Sequence, residues 1–197
     1  AETRFSNSWP EIIFEALDWS KHPLEAIKNI DLKRIQARVI GPGLDERSIP
    51  FLPDLIMQSK VPTVLDAGAL IRDDLLTKAI KEHKQCVLTP HYGEAARLLD
   101  ISSADVQARP LEVAKHLAKH LEAIIILKGP TTIITNGRQS ALSLRGHPGM
   151  ATGGMGDVLA GCLGAFLANT TRLFERSAAA VYLHGVAGED AAKHYNY

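Results

Sequence analysis

The chain has 197 residues with 22 Lys+Arg against 22 Asp+Glu, a formal net charge of +0, and 46% hydrophobic residues. That composition excludes the disordered, collagenous and disulfide-framework classes, and a compact domain of this length can bury well over half of its unfolded surface. The even charge balance leaves no surplus of cations to displace phosphate counterions, which argues against a nucleic-acid partner.

Organisation along the chain points to one domain over residues 1–197, with no repeat, low-complexity tract or linker. Short β-branched runs alternate with longer helical patterns, the sequence form of βα units and a mostly parallel sheet. Strands are expected at Ala37–Ile40, Pro62–Leu65, Cys86–Leu88 and Ala123–Leu127. A further pair, Thr132–Thr135 and Ser140–Leu144, flanks Asn136-Gly137, a hairpin-turn signal. Helices are expected at Leu55–Ser59, Ile71–His83, Gly93–Leu99, Leu111–His120, Asp157–Asn169 and Arg176–His194. The uncharged stretch Val158–Ala168 reaches about half of the ~18–20 residues of a membrane span, so no span is expected. The start, AETRFSNSWPEIIFEAL, lacks a signal-peptide pattern and an initiator Met, so a cytoplasmic fragment or processed form is expected. Cys86 and Cys162 sit in apolar runs without CxxC spacing and read as buried reduced thiols.

Four polar or glycine-rich punctuations follow strands directly. They are Gly41-Pro42-Gly43-Leu44, Asp66-Ala67-Gly68, Thr89-Pro90-His91 and Lys128-Gly129. In an open α/β sheet the ligand crevice lies outside the carboxyl ends of the strands, so these segments should converge. Seven of the 15 glycines fall between Gly146 and Gly164. Gly153-Gly154-Met155-Gly156 precedes a helix expected from Asp157, and amides at such a turn make a concave anion site. Neither a GxxxxGK[ST] P-loop nor a GxGxxG after a first strand is present.

Several residues carry two readings. Asp157 is either a helix cap or a base that takes a proton from an attacking hydroxyl. Lys128 is either the solvated end of a buried strand or the cation of a phosphate site, with Thr131 and Thr132 adding hydroxyls. His91 is either structural or a ligand contact in the crevice. His116 and His120 have metal-pair spacing, but without HExxH form and beside Lys115 and Lys119 they read as a solvated helix face. No residue set suggests a metal site.

LTPHYGEAARLL (Leu88–Leu99), LKGPTTIIT (Leu127–Thr135) and GHPGMATGGMGDVLAG (Gly146–Gly161) closely resemble the ADP/ATP-dependent NAD(P)H-hydrate dehydratase family of the ribokinase-like superfamily. IGPGLD, VLDAGAL and PEIIFEAL fit the same pattern in the same order. The resemblance implies a ribokinase-like α/β fold, a mostly parallel sheet flanked by helices with a hairpin towards the C-terminal side. It also implies dehydration of S-NAD(P)HX to NAD(P)H, with ADP or ATP as phosphoryl donor and Mg²⁺ accompanying the nucleotide. By the same resemblance Asp157 matches the catalytic aspartate and also touches substrate. Gly153, Gly154, Met155 and Gly156 match the anion hole, with Gly156 also on the nucleotide. Lys128, Gly129, Pro130, Thr131 and Thr132 match the nucleotide-binding stretch, and Gly43 and His91 match positions on the hydrated cofactor. Compared with the family, Gly68 replaces an aspartate, His147 replaces an asparagine, and the domain is expected to be shortened at both ends. A superfamily kinase and an inactive nucleotide-binding protein stay open as alternatives, and a homo-oligomer is compatible with the neutral composition.

Overall fold

A computed structural model describes residues 34–44 and 46–195. The PEIIFEAL segment, and with it part of the single domain expected over 1–197, lies outside the described residues. The elements are β1 (Arg38–Ile40), α1 (Leu52–Met57), β2 (Thr63–Leu65), α2 (Asp74–His83), β3 (Cys86–Leu88), α3 (Tyr92–Leu99), α4 (Ser103–Ala108) and α5 (Pro110–Leu121). They continue with β4 (Ile124–Leu127), β5 (Thr132–Thr135), β6 (Ser140–Ser143), α6 (Met155–Leu167) and α7 (Leu173–Tyr195). Short 3-10 turns cover Glu46–Phe51, Ala67–Ala69 and Pro148–Met150.

The six strands lie in chain order β1-β2-β3-β4-β5-β6. The first four are parallel, with Val64 opposite Val39 and Val87, and β5 and β6 add an antiparallel hairpin. Its turn is built by Asn136, whose Oδ1 accepts the Arg138 and Gln139 amides at 3.0 and 2.8 Å, and by Gly137 at φ +84°.

Because successive strand residues point to opposite faces, the β-branched runs feed two cores. Leu65, Leu88, Ile125 and Leu127 pack on one side with residues from α1 to α5, including Ile56, Ile80 and Leu117. Val64, Val87, Ile124, Ile126 and Ile134 pack on the other with Leu159, Leu163 and Leu167 of α6 and Val181 of α7. At ~25 cal/mol per Å² of apolar area, these buried aliphatic side chains are the main stabilising element.

Helix ends follow local chemistry. Asp73 accepts the Leu76 amide at 2.7 Å to start α2, which stops at Lys84 in the left-handed region. Helix α4, which the periodicity does not reveal, stands on a Ser102–Asp105 capping box and one buried residue, Val106. Helix α6 begins at Met155, two residues before the start expected at Asp157.

The amino-end edge is tied by a second polar cluster. Arg38 donates to the Leu55, Ile56 and Ser59 carbonyls at 2.6, 2.8 and 3.2 Å, closing the end of α1. His83 Nε2 lies 2.8 Å from the Ser59 carbonyl, while its Nδ1 accepts the Gln85 amide at 3.3 Å, which assigns a neutral ring protonated at Nε2. Burial lowers the His83 pKa below its ordinary 6.5, against the opposing pull of the Ser59 carbonyl, and the Arg38 and Lys60 charges lower it further. Both cysteines are free: Cys86 is buried, and burial pushes its thiol up to about 12, whereas Cys162 is only half-buried.

A depressed histidine pKa means that the unfolded chain takes up the proton more readily. Stability should therefore be full above the unfolded pKa and be lost as pH falls from about 6.5 through the lower folded value. Urea midpoints measured between pH 7.5 and pH 5 should fall, and His83→Gln should flatten that slope; an unchanged slope would remove His83 as its source.

Candidate functional site

The four punctuating segments do meet at the carboxyl edge of the parallel strands. Asp66, directly after β2 and 1% exposed, is the hub. Its Oδ1 accepts the Thr89 hydroxyl at 2.6 Å and the Lys128 ammonium at 2.9 Å. Lys128, directly after β4, keeps a side chain 23% exposed and stands 3.8 Å from Glu94 Oε2. Its backbone pairs with the loop after β3, through a bridge to His91 and a 2.8 Å bond from its amide to the Pro90 carbonyl.

Glu94 is 6% exposed and belongs to the capping box of α3. Its Oε2 accepts the His91 amide at 2.7 Å, while its own amide bonds His91 Nδ1 at 3.2 Å. His91 therefore caps a helix and still presents a side chain 53% exposed at the edge. Sequence picks out Thr89 as part of the punctuation after β3 and Glu94 inside the LTPHYGEAARLL motif, but gives neither a role. Glu94 could have been found as the fourth position of an H-x-x-E capping pattern.

The glycine turns serve close approach. Gly41 has φ +131°, and a Cβ there would overlap the Asp66 carbonyl oxygen. Gly43, exposed with φ +64°, completes the turn beyond β1. A Cβ on Gly129 would lie 2.7 Å from the Tyr92 ring, so the Lys128-Gly129 corner fits under that ring only without a side chain. Pro130, Thr131 and Thr132 continue from there into β5, with Pro130 exposed and both threonines half-buried.

The glycine-rich bend reaches the same place from the other side of the sheet. Gly153 and Gly154 are exposed, and Gly154, at φ +88°, is the N-cap of α6 without a side-chain cap. Met155, Gly156 and Asp157 form the first turn. The Cβ position of Gly156 is 3.5 Å from Lys128 Nζ and 3.8 Å from Asp66 Oδ2. The first-turn amides, of which that of Met155 donates to the Thr152 carbonyl at 3.4 Å, and the positive end of a thirteen-residue helix thus stand beside an ammonium and two carboxylates. Asp157 is exposed and makes no hydrogen bond or ion pair among the described residues. By contrast Asp73, Ser102, His91 and His147 all cap helical turns.

Among the described residues, two hollows of about 350 and 420 Å³ lie at the amino ends of the strands, around Cys86 and Ile124 and around Gln36 and Pro62. Neither includes any of the site residues.

A family model described as NAD(P)H-hydrate dehydratase matches residues 1–197. The chain belongs to this family. The bifunctional NAD(P)H-hydrate repair enzyme Nnr of Moorella thermoacetica is 37% identical over 166 residues, covering 82% of this dehydratase-family chain and 31% of that protein. The ADP/ATP-dependent NAD(P)H-hydrate dehydratase from Bacillus subtilis, co-crystallised with ATP/Mg²⁺, superimposes with a TM-score of 0.78 and 28% identity over 95% of this chain and 66% of that one. A ribokinase-like superfamily protein from Enterococcus faecalis V583 gives a TM-score of 0.69 and 31% identity over 82% of this chain and 57% of that one. The ribokinase-like fold expected from the motifs is therefore present, and the chain spans about a third of the bifunctional relatives.

The buried pair makes a stability prediction. Lys128→Met should cost about 3 kcal/mol, because it strands the Asp66 carboxylate away from water. Asp66→Asn, which keeps a partner for Thr89, should cost about 1–3 kcal/mol. The double variant should be more stable than Lys128→Met alone, as measured by urea unfolding at neutral pH. Additive losses would show that the two side chains do not depend on each other.

Proposed function

We propose that this chain carries out nucleotide-dependent dehydration of S-NAD(P)HX to NAD(P)H, with ADP as the phosphoryl donor and ATP as the alternative. The observation that carries this reading is the Lys128 ammonium beside the uncapped first turn of α6, with the Asp157 side chain next in the chain and without a partner among the described residues. The family membership and the ADP/ATP-dependent relative support the same chemistry.

The nucleotide would lie along Lys128, Gly129, Pro130, Thr131 and Thr132, with its terminal phosphate against the amides of Gly153, Gly154, Met155 and Gly156. The hydrated nicotinamide would enter over Gly43 and His91. Asp157 would take the proton from the C6 hydroxyl as its oxygen attacks the terminal phosphorus of ADP, forming the O–P bond and releasing AMP. Amides and Lys128 would stabilise the charge on the transferred group. Phosphate, unlike hydroxide, is a good leaving group. The ring nitrogen lone pair expels it as the C6–O bond breaks, and loss of the C5 proton restores the double bond.

A divalent cation fits this donor set. Asp66 and Glu94 bring two carboxylates against one ammonium, and among the described residues no cluster of three donor side chains is present. Such a site suits Mg²⁺ held by nucleotide phosphates, water and one or two carboxylates, where it would neutralise phosphate charge. Among the described residues no helix is long and apolar enough to cross a membrane. Two unbridged thiols support a reducing, cytoplasmic compartment.

Incubating the full chain with NADHX, ADP and Mg²⁺ should restore the reduced-nicotinamide absorbance with release of AMP and phosphate. Asp157→Asn should lower kcat by about 10²–10⁴-fold and leave the ADP affinity within about threefold, because base and amide cradle are separate elements. A silent wild-type protein that still binds ADP would overturn the dehydratase reading, and an active Asp157→Asn would overturn the assignment of the base.

A further inference from the structure

The glycine-rich bend is an extended detour between β6 and α6, and its own hydrogen bonds are local. Met150 and Ala151 donate to the His147 and Pro148 carbonyls at 2.9 and 3.0 Å, His147 Nδ1 accepts the Gly149 amide at 3.1 Å, and Met155 donates to the Thr152 carbonyl at 3.4 Å. Two positions, Gly146 at φ +135° and Gly154 at φ +88°, use backbone regions that leave the path between them easily redirected. Something outside the segment must fix where its amides stand.

Helix α7 provides that fixture along one face. Glu189 Oε1 accepts the Gly146 amide at 2.8 Å, and its Oε2 pairs with Arg145 Nη2 at 2.7 Å. Among the described residues these are the polar contacts that tie residues 145–154 to a distant part of the chain. The Arg145 guanidinium also lies 5.8 Å over the Tyr182 ring. Between these side chains the helix is flat. A Cβ on Gly185 would stand 2.7 Å from the Arg145 carbonyl oxygen, and one on Gly188 would overlap the Met150 sulfur. His184 lies near the backbone of Met155, with Nε2 buried and unpartnered among the described residues. The segment therefore rests on α7 from Arg145 to Met155, and Glu189 is its polar clamp.

We infer that Glu189 is a positioning residue for phosphate binding, acting through Arg145 and Gly146 to hold the 153–156 amides in place beside Lys128. The inference rests on the nucleotide reading above. A pre-set loop binds its anion without first losing conformational freedom, whereas a released one must be ordered at each binding event.

The test uses the full chain with Mg–ADP as probe. Glu189→Ala should weaken ADP binding about tenfold in calorimetry and raise KM for ADP with little change in kcat. Glu189→Gln, which keeps an acceptor for the Gly146 amide, should stay within about threefold of wild type. Hydrogen exchange should accelerate at amides 146–156 in Glu189→Ala and stay unchanged in β3 and β4. Wild-type affinity in Glu189→Ala, or exchange that quickens equally through the sheet, would overturn the proposal. If Glu189→Ala does not fold, Arg145→Ala supplies the same comparison from the exposed side of the clamp. If the wild-type chain does not bind Mg–ADP, the functional reading fails, and local exchange alone decides whether Glu189 anchors the segment.

Discussion

The contact between Lys128 and Asp66 joins the ends of two strands that are not neighbours. β2 and β4 are separated by β3, and Thr89 from the end of β3 bonds the same carboxylate oxygen. Three consecutive parallel strands are thus pinned at one edge by a carboxylate nearly free of solvent. A charge in that position is tolerated only when paired and hydrogen-bonded, so folding itself obliges the lysine to be there. The energetic return of such a pair over an apolar replacement is small. What it secures is position: an ammonium held at the mouth of the glycine-rich turn, 3.5 Å from where a side chain on Gly156 would begin.

That arrangement also explains the glycines on either side of the edge. Gly41 lets the turn after β1 press on the Asp66 carbonyl, and Gly129 lets the corner after β4 slip under Tyr92. Gly156 leaves open the space between the first turn of α6 and the ion pair. A methyl group at Gly41 or Gly129 would push apart segments whose value lies in their proximity, whereas one at Gly156 would fill the space beside the ion pair at ordinary contact distance.

Most of the architecture was legible because it is written in local signals. Among the described residues the strand patterns marked all six strands to within one residue at either end, and Asn136-Gly137 marked the hairpin. Asp66 and Lys128 are 62 residues apart in sequence; their places after two strands predicted that their segments converge, but nothing local announces the ion pair itself. Read alone, Lys128 was as consistent with a solvated strand end as with a phosphate site; the tertiary contact shows that it is neither free nor fully solvated. Helix α4 escaped notice because six residues with one buried side chain give no periodicity to read. The exposure of Asp157 without a capping bond could not be read either, since a carboxylate after a glycine turn satisfies the capping pattern whether or not the bond forms. The clamp from Glu189 to Gly146 is 43 residues long in sequence and equally silent there.

The charge count at this edge constrains what can bind. Asp66 and Glu94 place two carboxylates near one ammonium, while Gly68, two residues after Asp66, carries no side chain. A side chain at 68 would begin 3.2 Å from the Leu44 Cβ and 3.3 Å from the Gly41 carbonyl oxygen, so the tight packing of that turn leaves it little room. Glu94, from the first turn of α3 beyond β3, brings a second carboxylate to Lys128. A polyphosphate bound as proposed would therefore meet an ammonium whose charge is already shared. Its own charge has to be met by the amides at the head of α6 and by a cation that travels with it, since free phosphate beside two carboxylates would be repelled. Under the nucleotide reading proposed above, the surplus that would disfavour a bare nucleotide would favour one carrying a divalent ion, because Asp66 after β2 and Glu94 in the first turn of α3 are both buried beside Lys128.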